Sequence, residues 1–360
     1  MDTSLKSKSG YKTNVIVESL REQILSGVLR PGEKVMSARE LGCHFQVSLV
    51  TANKALLGLE AENLIVRNER SGSFVKANHN NKQYKVGFVD NYKLFMQEIQ
   101  GSCGLYRDTC IRLLQENNCS VHLLNEDEVA SAVLDGQLDG LICYNLYWND
   151  DLMLEMKKTG IPIVLGRVDY VLNTPFHQVL PDIYGAVYEV FRRIERKRFD
   201  GLIIVYEDHR NCCFRRDLAL SMAQHAGFEK HDIELVKVAH VEVEMNYPIW
   251  QGISKRSAKK FIYACGDNMA AAMIRIFREA KLEFGTEIQL ASCGNLEDCG
   301  YQPFDEPTIT SAGSHYELYG RTAVNLLLRM IESPEENKLS HVIRIPAVYR
   351  QRKTAFEGRK

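Results

Sequence analysis

Apolar residues recur at helical spacing near the start of the chain. Over 14–26, Ile16, Leu20 and Ile24 fall at i, i+4 and i+8, one face of an amphipathic helix. Gly27 and Pro31-Gly32 follow as turn signals. Ser37 with Glu40 three residues on has the spacing of a capping box, so a short helix is predicted over 38–45, burying Ala38, Leu41 and Phe45. Gln46-Val47 make a tight turn, and Ser48 caps a third helix running to about Glu62. Ala52, Ala55, Leu56 and Leu59 form its apolar stripe; Val50, Asn53, Lys54 and Leu57 lie opposite. Two short strands, 64–67 and 73–75, flank a polar turn, with Gly72 allowing close backbone approach. Three helices followed by a hairpin form a winged helix-turn-helix, in which the first residues of the third helix reach base edges.

A polar linker, 79–83, separates this unit (1–78) from the remainder (84–360). Beyond it strands and helices alternate. Strands are predicted at 84–90, 121–124, 140–143, 161–165, 202–206, 233–238, 261–265 and 288–291, with helices between them and a last helix over 316–332. The stretch 166–183 reads as an irregular crossing. Such alternation implies an α/β protein of parallel sheets covered by helices, and so many strands imply two doubly wound subdomains.

Composition narrows the class. The chain of 360 residues is 45% hydrophobic and 25% charged, as in ordinary globular proteins. No apolar run approaches the ~20 residues of a membrane-spanning helix, and the first twelve residues lack a signal peptide's apolar stretch. No membrane partner is expected. Ten scattered cysteines without a CxxC pair suit reduced thiols in a cytoplasm. Net charge is −1, divided as +3 over residues 1–80 and −4 over the rest, a mild basic bias compatible with DNA.

The first unit resembles the DNA-binding head of GntR-family regulators. The resemblance rests on ILSGVLRPGEKVMSAREL from Ile24, FQVS from Phe45, Thr51, KALLGLEAENLI from Lys54 and RSGSFV from Arg70. It implies DNA contacts by Ser37, Arg39, Ser48, Leu49, Thr51, Asn53, Lys54 and Gly72. Leu49 and Asn53 stand where the family has arginine. Leucine offers a thymine methyl an apolar contact, and asparagine can pair with adenine, so Asn53 is expected to read an adenine. Ser48 is equally a plain helix cap, and Lys54 a solvated charge.

The large unit resembles the periplasmic-binding-protein-like sensor of LacI-family repressors. The matched segments are DGLI at 139–142, GIPIV at 160–164, Asp182 with Gly185-Ala186, Arg216 eleven residues before Gly227, GDNMA at 266–270, and PTIT at 307–310 followed by Gly320. Gly266 and Gly294 replace polar ligand-contacting residues of that family. The pairing of the two units resembles the arabinose-responsive repressors. It implies a homodimer on a double-stranded DNA operator, with a small-molecule effector of the sugar class bound between the subdomains.

Candidate ligand contacts are Tyr92, Tyr144, Trp148, Arg216 and Asp267. The aromatics near strand ends suit stacking on a sugar ring and suit packing equally; Arg216 reads also as a surface arginine. An enzyme on this fold is disfavoured: there is no GxGxxG after the strand at 84–90, no Walker sequence, no GxSxG and no HExxH. Neither metal nor cofactor is expected, since the histidines lack ligand spacing. A regulator whose large unit only dimerises, binding no small molecule, stays open as an alternative.

Overall fold

The computed structural model describes residues 3–25, 28–62, 64–68, 71–76, 83–90, 100–144, 150–166, 168–239, 247–257, 259–282, 284 and 288–356. The head consists of α1 (Thr3–Leu25), α2 (Ala38–His44), α3 (Leu49–Ala61) and the antiparallel hairpin of β1 (Ile65–Asn68) and β2 (Gly72–Val75). Helix α1 begins eleven residues earlier than periodicity alone places it. The capping box forms as its sequence suggests: the Glu40 amide donates to Ser37 Oγ at 3.3 Å and the Ser37 amide to Glu40 Oε2 at 2.6 Å. Ile16, Leu20, Leu41, Ala52, Ala55, Leu56 and Leu59 close one small core, while Ala38 and Phe45 pack at its margin. Arg21 of α1 clamps Glu62 beyond the end of α3, with Nε 2.9 Å from Oε2.

The large domain holds two six-stranded sheets. The first contains β3 (Tyr84–Asp90), β4 (Cys119–Leu124), β5 (Gly140–Tyr144), β6 (Ile163–Gly166), β7 (His177–Pro181) and β13 (Val342–Ile345), in the order β13-β7-β6-β5-β3-β4 and parallel throughout. The second contains β8 (Gly201–Glu207), β9 (Ile233–Val238), β10 (Lys260–Ala264), β11 (Gln289–Cys293), β12 (Thr310–Ser314) and β14 (Ala347–Arg350), in the order β14-β12-β11-β10-β8-β9; only β14 runs antiparallel to its neighbour. The helices α4 (Gln100–Glu116), α5 (Val129–Leu134) and α6 (Asp150–Lys158) serve the first sheet. Those of the second are α7 (Ile183–Phe191), α8 (Arg210–His225), α9 (Tyr247–Arg256) and α10 (Asp267–Glu279). Helix α11 (Tyr316–Glu332) follows β12 of the second sheet but packs on α4 and over β5, β6 and β7 of the first.

The chain thus crosses between the subdomains three times, at Asp182, His315 and Pro346. Each crossing begins at the carboxyl end of a parallel strand, so a cleft between the subdomains lies where doubly wound sheets bind ligands. Helix α11 approaches α4 closely: a Cβ on Gly320 would stand 3.0 Å from the Tyr106 carbonyl oxygen and 3.2 Å from Thr109. At the head, the Asn325 side-chain amide donates to the Ile24 carbonyl oxygen at 3.4 Å, in the last turn of α1 where carbonyls lack helical partners.

The stretch read as an irregular crossing contains β7. Its His177 and Gln178 are polar yet buried, because each has a tertiary partner. Gln178 exchanges hydrogen bonds with the Leu172 main chain at 2.8 and 2.9 Å. The His341 amide donates to His177 Nδ1 at 3.2 Å, which leaves the ring proton on Nε2 to donate to Asn337 Oδ1 at 2.8 Å. Burial holds the His177 pKa below the ordinary histidine value; the Asn337 bond pulls it up, and His341 and Lys157 add to the depression. The predicted linker 79–83 lies outside the described residues except for Gln83.

A pH dependence follows. The unfolded chain takes up a proton at His177 before the folded chain does. Stability from the neutral ring is therefore complete above about pH 6.5 and is lost as pH falls below it. Urea titrations between pH 7.5 and 5 should show this loss, and His177→Gln should flatten the slope; an identical slope would assign the dependence to other groups.

Candidate nucleic-acid interface and sensor cleft

In the head, the Thr51 amide donates to Ser48 Oγ at 3.2 Å and the two hydroxyls lie 2.9 Å apart, which fixes the first turn of α3. Ser48 therefore acts as a helix cap, and Thr51 is buried beneath it. The outward face is apolar to an unusual degree: Leu49 is 52% exposed, Val50 66% and Leu57 52%. Asn53 and Lys54 share that exposed face. Arg39 is exposed on α2 and makes no hydrogen bond among the described residues. Ser37, by contrast, is committed to the capping box.

Gly72 begins β2 at φ +104°, a left-handed geometry that only glycine adopts without strain, and a Cβ there would stand 3.0 Å from Lys34 Cε. Lys34 forms an isolated antiparallel bridge to Phe74, which ties the segment before α2 to the edge of the two-stranded wing. From the wing, Arg67 of β1 donates from Nη2 to Asn53 Oδ1 at 2.8 Å. The helix and the wing are thereby joined at the residue expected to read a base. Sequence pattern did not single out Arg67, because strand periodicity does not show what a side chain meets fourteen residues away.

The cleft is organised by Arg215 of α8. Its Nε and Nη2 donate to the two oxygens of Asp169 at 2.5 and 3.2 Å, and Nη1 donates to the carbonyls of Cys265 and Cys293 at 2.9 and 3.4 Å. Asp169 follows β6 of the first subdomain, so this ion pair spans both halves. Arg215 is 17% exposed and Asp169 4%. Burial opposes the Arg215 charge, but Asp169 outweighs it and holds the pKa above the ordinary arginine value. The Asp169 amide also faces Asn211 Oδ1 at 3.4 Å, and Tyr170 packs on Phe214 with ring centres 5.6 Å apart.

Arg216, the sequence candidate, sits one residue away in a different setting. It donates to Asp217 at 2.8 Å, and its guanidinium lies 4.7 Å from the Tyr206 ring centre. Asp267 is 1% exposed. One oxygen accepts from the hydroxyls of Ser292 and Ser311, the latter at 2.7 Å, and the other from the Leu296 amide at 2.6 Å. Its acceptors are spent inside the protein, tying α10 to β11 and β12. Tyr92 and Trp148 lie outside the described residues; Tyr144 ends β5 with its side chain likewise outside them.

Glu207, His209 and Cys212 bring donor atoms within 4.8 Å of one another at the start of α8. They suit a hydrogen-bonded cap better than a metal. His209 Nδ1 accepts the Cys212 amide at 3.5 Å, so a neutral ring keeps its proton on Nε2, turned toward Glu207 at 3.4 Å. Burial pushes the Cys212 thiol up to about 12.

Comparison with known proteins matches residues 12–75 to the family of bacterial regulatory proteins, gntR family, and residues 201–354 to the periplasmic binding protein-like domain. The arabinose metabolism transcriptional repressor of Geobacillus stearothermophilus is 21% identical over 369 residues, covering 95% of this chain and 97% of the relative. A LacI family transcriptional regulator from Enterococcus faecium, solved with bound ribose, superposes with a TM-score of 0.62 at 19% identity, over 75% of this chain and 98% of that one. A periplasmic binding protein/LacI transcriptional regulator from Alkaliphilus metalliredigens, solved with D-xylulofuranose, gives 0.59 at 14%, over 76% and 100%. The chain joins a gntR-type helix-turn-helix domain to a periplasmic-binding-protein-like domain, in the fold of LacI-family regulators. These are the modules of transcription regulators rather than enzymes.

Neutralising Asp169 would leave a largely buried guanidinium without its counter-charge. Asp169→Asn should destabilise the large domain by about 3 kcal/mol. Asp217→Asn, at the exposed partner of Arg216, should change it by less than about 1 kcal/mol. Denaturant titrations compare the two directly, and equal losses would remove Arg215–Asp169 from its structural role.

Proposed function

We propose that this protein is a cytoplasmic, ligand-responsive transcriptional repressor that grips a pseudo-palindromic operator as a homodimer. The head, 1–78, supplies the DNA contact, 79–83 the linker, and 84–360 the sensor and dimer contacts. The observation that carries the reading is the joining of an outward-facing α3 to a cleft bridged by one ion pair. Two equivalent heads suit two half-sites about one turn of duplex apart, or a multiple of it. The effector is a monosaccharide or small polyol of the kind held by the two sugar-bound neighbours, and the Geobacillus relative's name points to sugar metabolism as the regulated process. Among the described residues no helix is long and apolar enough to cross a membrane.

Arg215 is the contact we assign to the effector in place of Arg216. A guanidinium has five N–H donors, and the bonds to Asp169, Cys265 and Cys293 leave one Nη2 hydrogen to donate. An effector hydroxyl accepting it would bind the closed form preferentially and shift the head-bearing subdomain. Such coupling is typically ~1–3 kcal/mol.

Arg39→Ala should cost ~1–3 kcal/mol on specific operator DNA at fixed salt, as loss of a base contact does. Lys54→Ala should weaken all sequences alike and reduce the salt slope by about one. Unchanged operator affinity for Arg39→Ala in a fluorescence-anisotropy titration would remove that arginine from the interface.

The matching sugar at a hundredfold excess over Kd should stabilise the protein by about 2.7 kcal/mol. Arg215→Lys should abolish the thermal shift, whereas Arg216→Ala should keep it. No shift and no change in operator binding across sugars, sugar acids and sugar phosphates would leave the large domain a dimerisation module.

A further inference from the structure

We propose that Asn53 and Arg67 read a guanine together, as one donor face built from the third helix and the wing. The proposal rests on the reading of α3 as the groove-entering helix. Arginine has donors and no acceptor, so its 2.8 Å contact with Asn53 fixes the side-chain amide: Oδ1 faces Arg67, and the amino group Nδ2 is the free edge. Arg67 makes no other hydrogen bond among the described residues, so its remaining N–H groups surround that edge with further donors.

The two purines differ in what they present to such a face. Adenine shows an acceptor at N7 and a donor at N6, and its pairing with asparagine needs Oδ1 to accept from N6. Here that oxygen already accepts from a cation, and the N6 amino group would meet the guanidinium donor to donor. Guanine shows acceptors at both N7 and O6. Nδ2 and an Arg67 N–H can donate to the two at once. The expectation that Asn53 reads an adenine is therefore replaced by guanine.

The placement supports a shared reader. Asn53 lies one turn past Leu49 and Val50, whose exposed side chains offer a base no hydrogen bond. Arg67 sits opposite Ser73 in the hairpin, one pair from Gly72, against which Lys34 packs. Lys54 adjoins Asn53 on the helix. Lys34 and Lys54 bring positive charge near the phosphates, while the Asn53–Arg67 pair supplies the directed donors.

The test is selection of binding sites from randomised duplexes with the full-length protein, its Asn53→Ala, Arg67→Ala and Arg67→Lys variants, and the double alanine variant. Wild type should enrich guanine at one symmetric position in each half-site. Arg67→Ala and Asn53→Ala should each lose about tenfold of that preference, the size of one good base contact, while the rest of the motif is retained. The double variant should be no worse than either single one, and Arg67→Lys should keep part of the preference. Placing 7-deazaguanine at that position should weaken wild type and leave Arg67→Ala unaffected. Melting curves establish that the variants fold. Adenine at that position, or an unchanged motif for Arg67→Ala, overturns the shared guanine reader alone. No enriched motif for wild type overturns it together with the reading of the head as a DNA-binding domain.

Discussion

A guanidinium cannot shed its proton to enter a protein interior, so burying Arg215 obliges the fold to bring a carboxylate to it. That carboxylate, Asp169, belongs to the other subdomain. One side chain on α8 therefore determines where the loop after β6 must come, and the loop brings Tyr170 onto Phe214 and the Asp169 amide to Asn211. The remaining Arg215 donors reach main-chain carbonyls at the ends of β10 and β11. Strand ends from both sheets are held around a single cation, and the cleft is shaped by that requirement.

Asp267 answers the same constraint with the opposite charge. It enters the interior at the first turn of α10, where a carboxylate is favoured by the helix dipole, and is met by two hydroxyls and an amide. Ser292 and Ser311 lie on β11 and β12, and Leu296 just after β11, so their hydrogen bonds align the two strand ends beside the cleft. Asp267, a ligand contact by sequence resemblance, directs its carboxylate to these internal hydrogen bonds.

The head was legible because its signals are local. Ser37 and Glu40 announce a capping box within four residues, and Ala52, Ala55, Leu56 and Leu59 mark the buried stripe of α3 without reference to anything distant. In the large domain β7, β12, β13 and β14 were missed, and in the first two the apolar pattern is broken. Strand β7 buries His177 and Gln178 on tertiary partners, and β12 is built from small residues because Gly313 lies where a Cβ would stand 2.4 Å from the Gly294 carbonyl oxygen. The adjacent arginines show another limit. On a helix each residue turns by about 100°; buried Cys212, Ala219 and Ala223 pass between Arg215 and Arg216, and only Leu218 leans the buried face toward Arg215. The position of Asp169, forty-six residues upstream, is what separates their roles. Asn53 was legible as an outward polar residue, but its hydrogen-bonding edge depends on a strand that sequence spacing cannot align.

Helix α11 and β13 are made after the five parallel strands of the second subdomain, yet they complete the first. A growing chain on the ribosome therefore releases its parts out of step with the finished architecture. The head emerges first with its core entire. The sheet behind it waits, one flank uncovered and β7 unpaired on one edge, until about 160 further residues have been translated, roughly eight to thirty seconds at ordinary elongation rates. During that interval the nascent protein holds a folded head on an unfinished sensor. Truncation before residue 316 should leave it in that condition permanently, a prospect that bears on nonsense alleles as well as on expression of shortened chains.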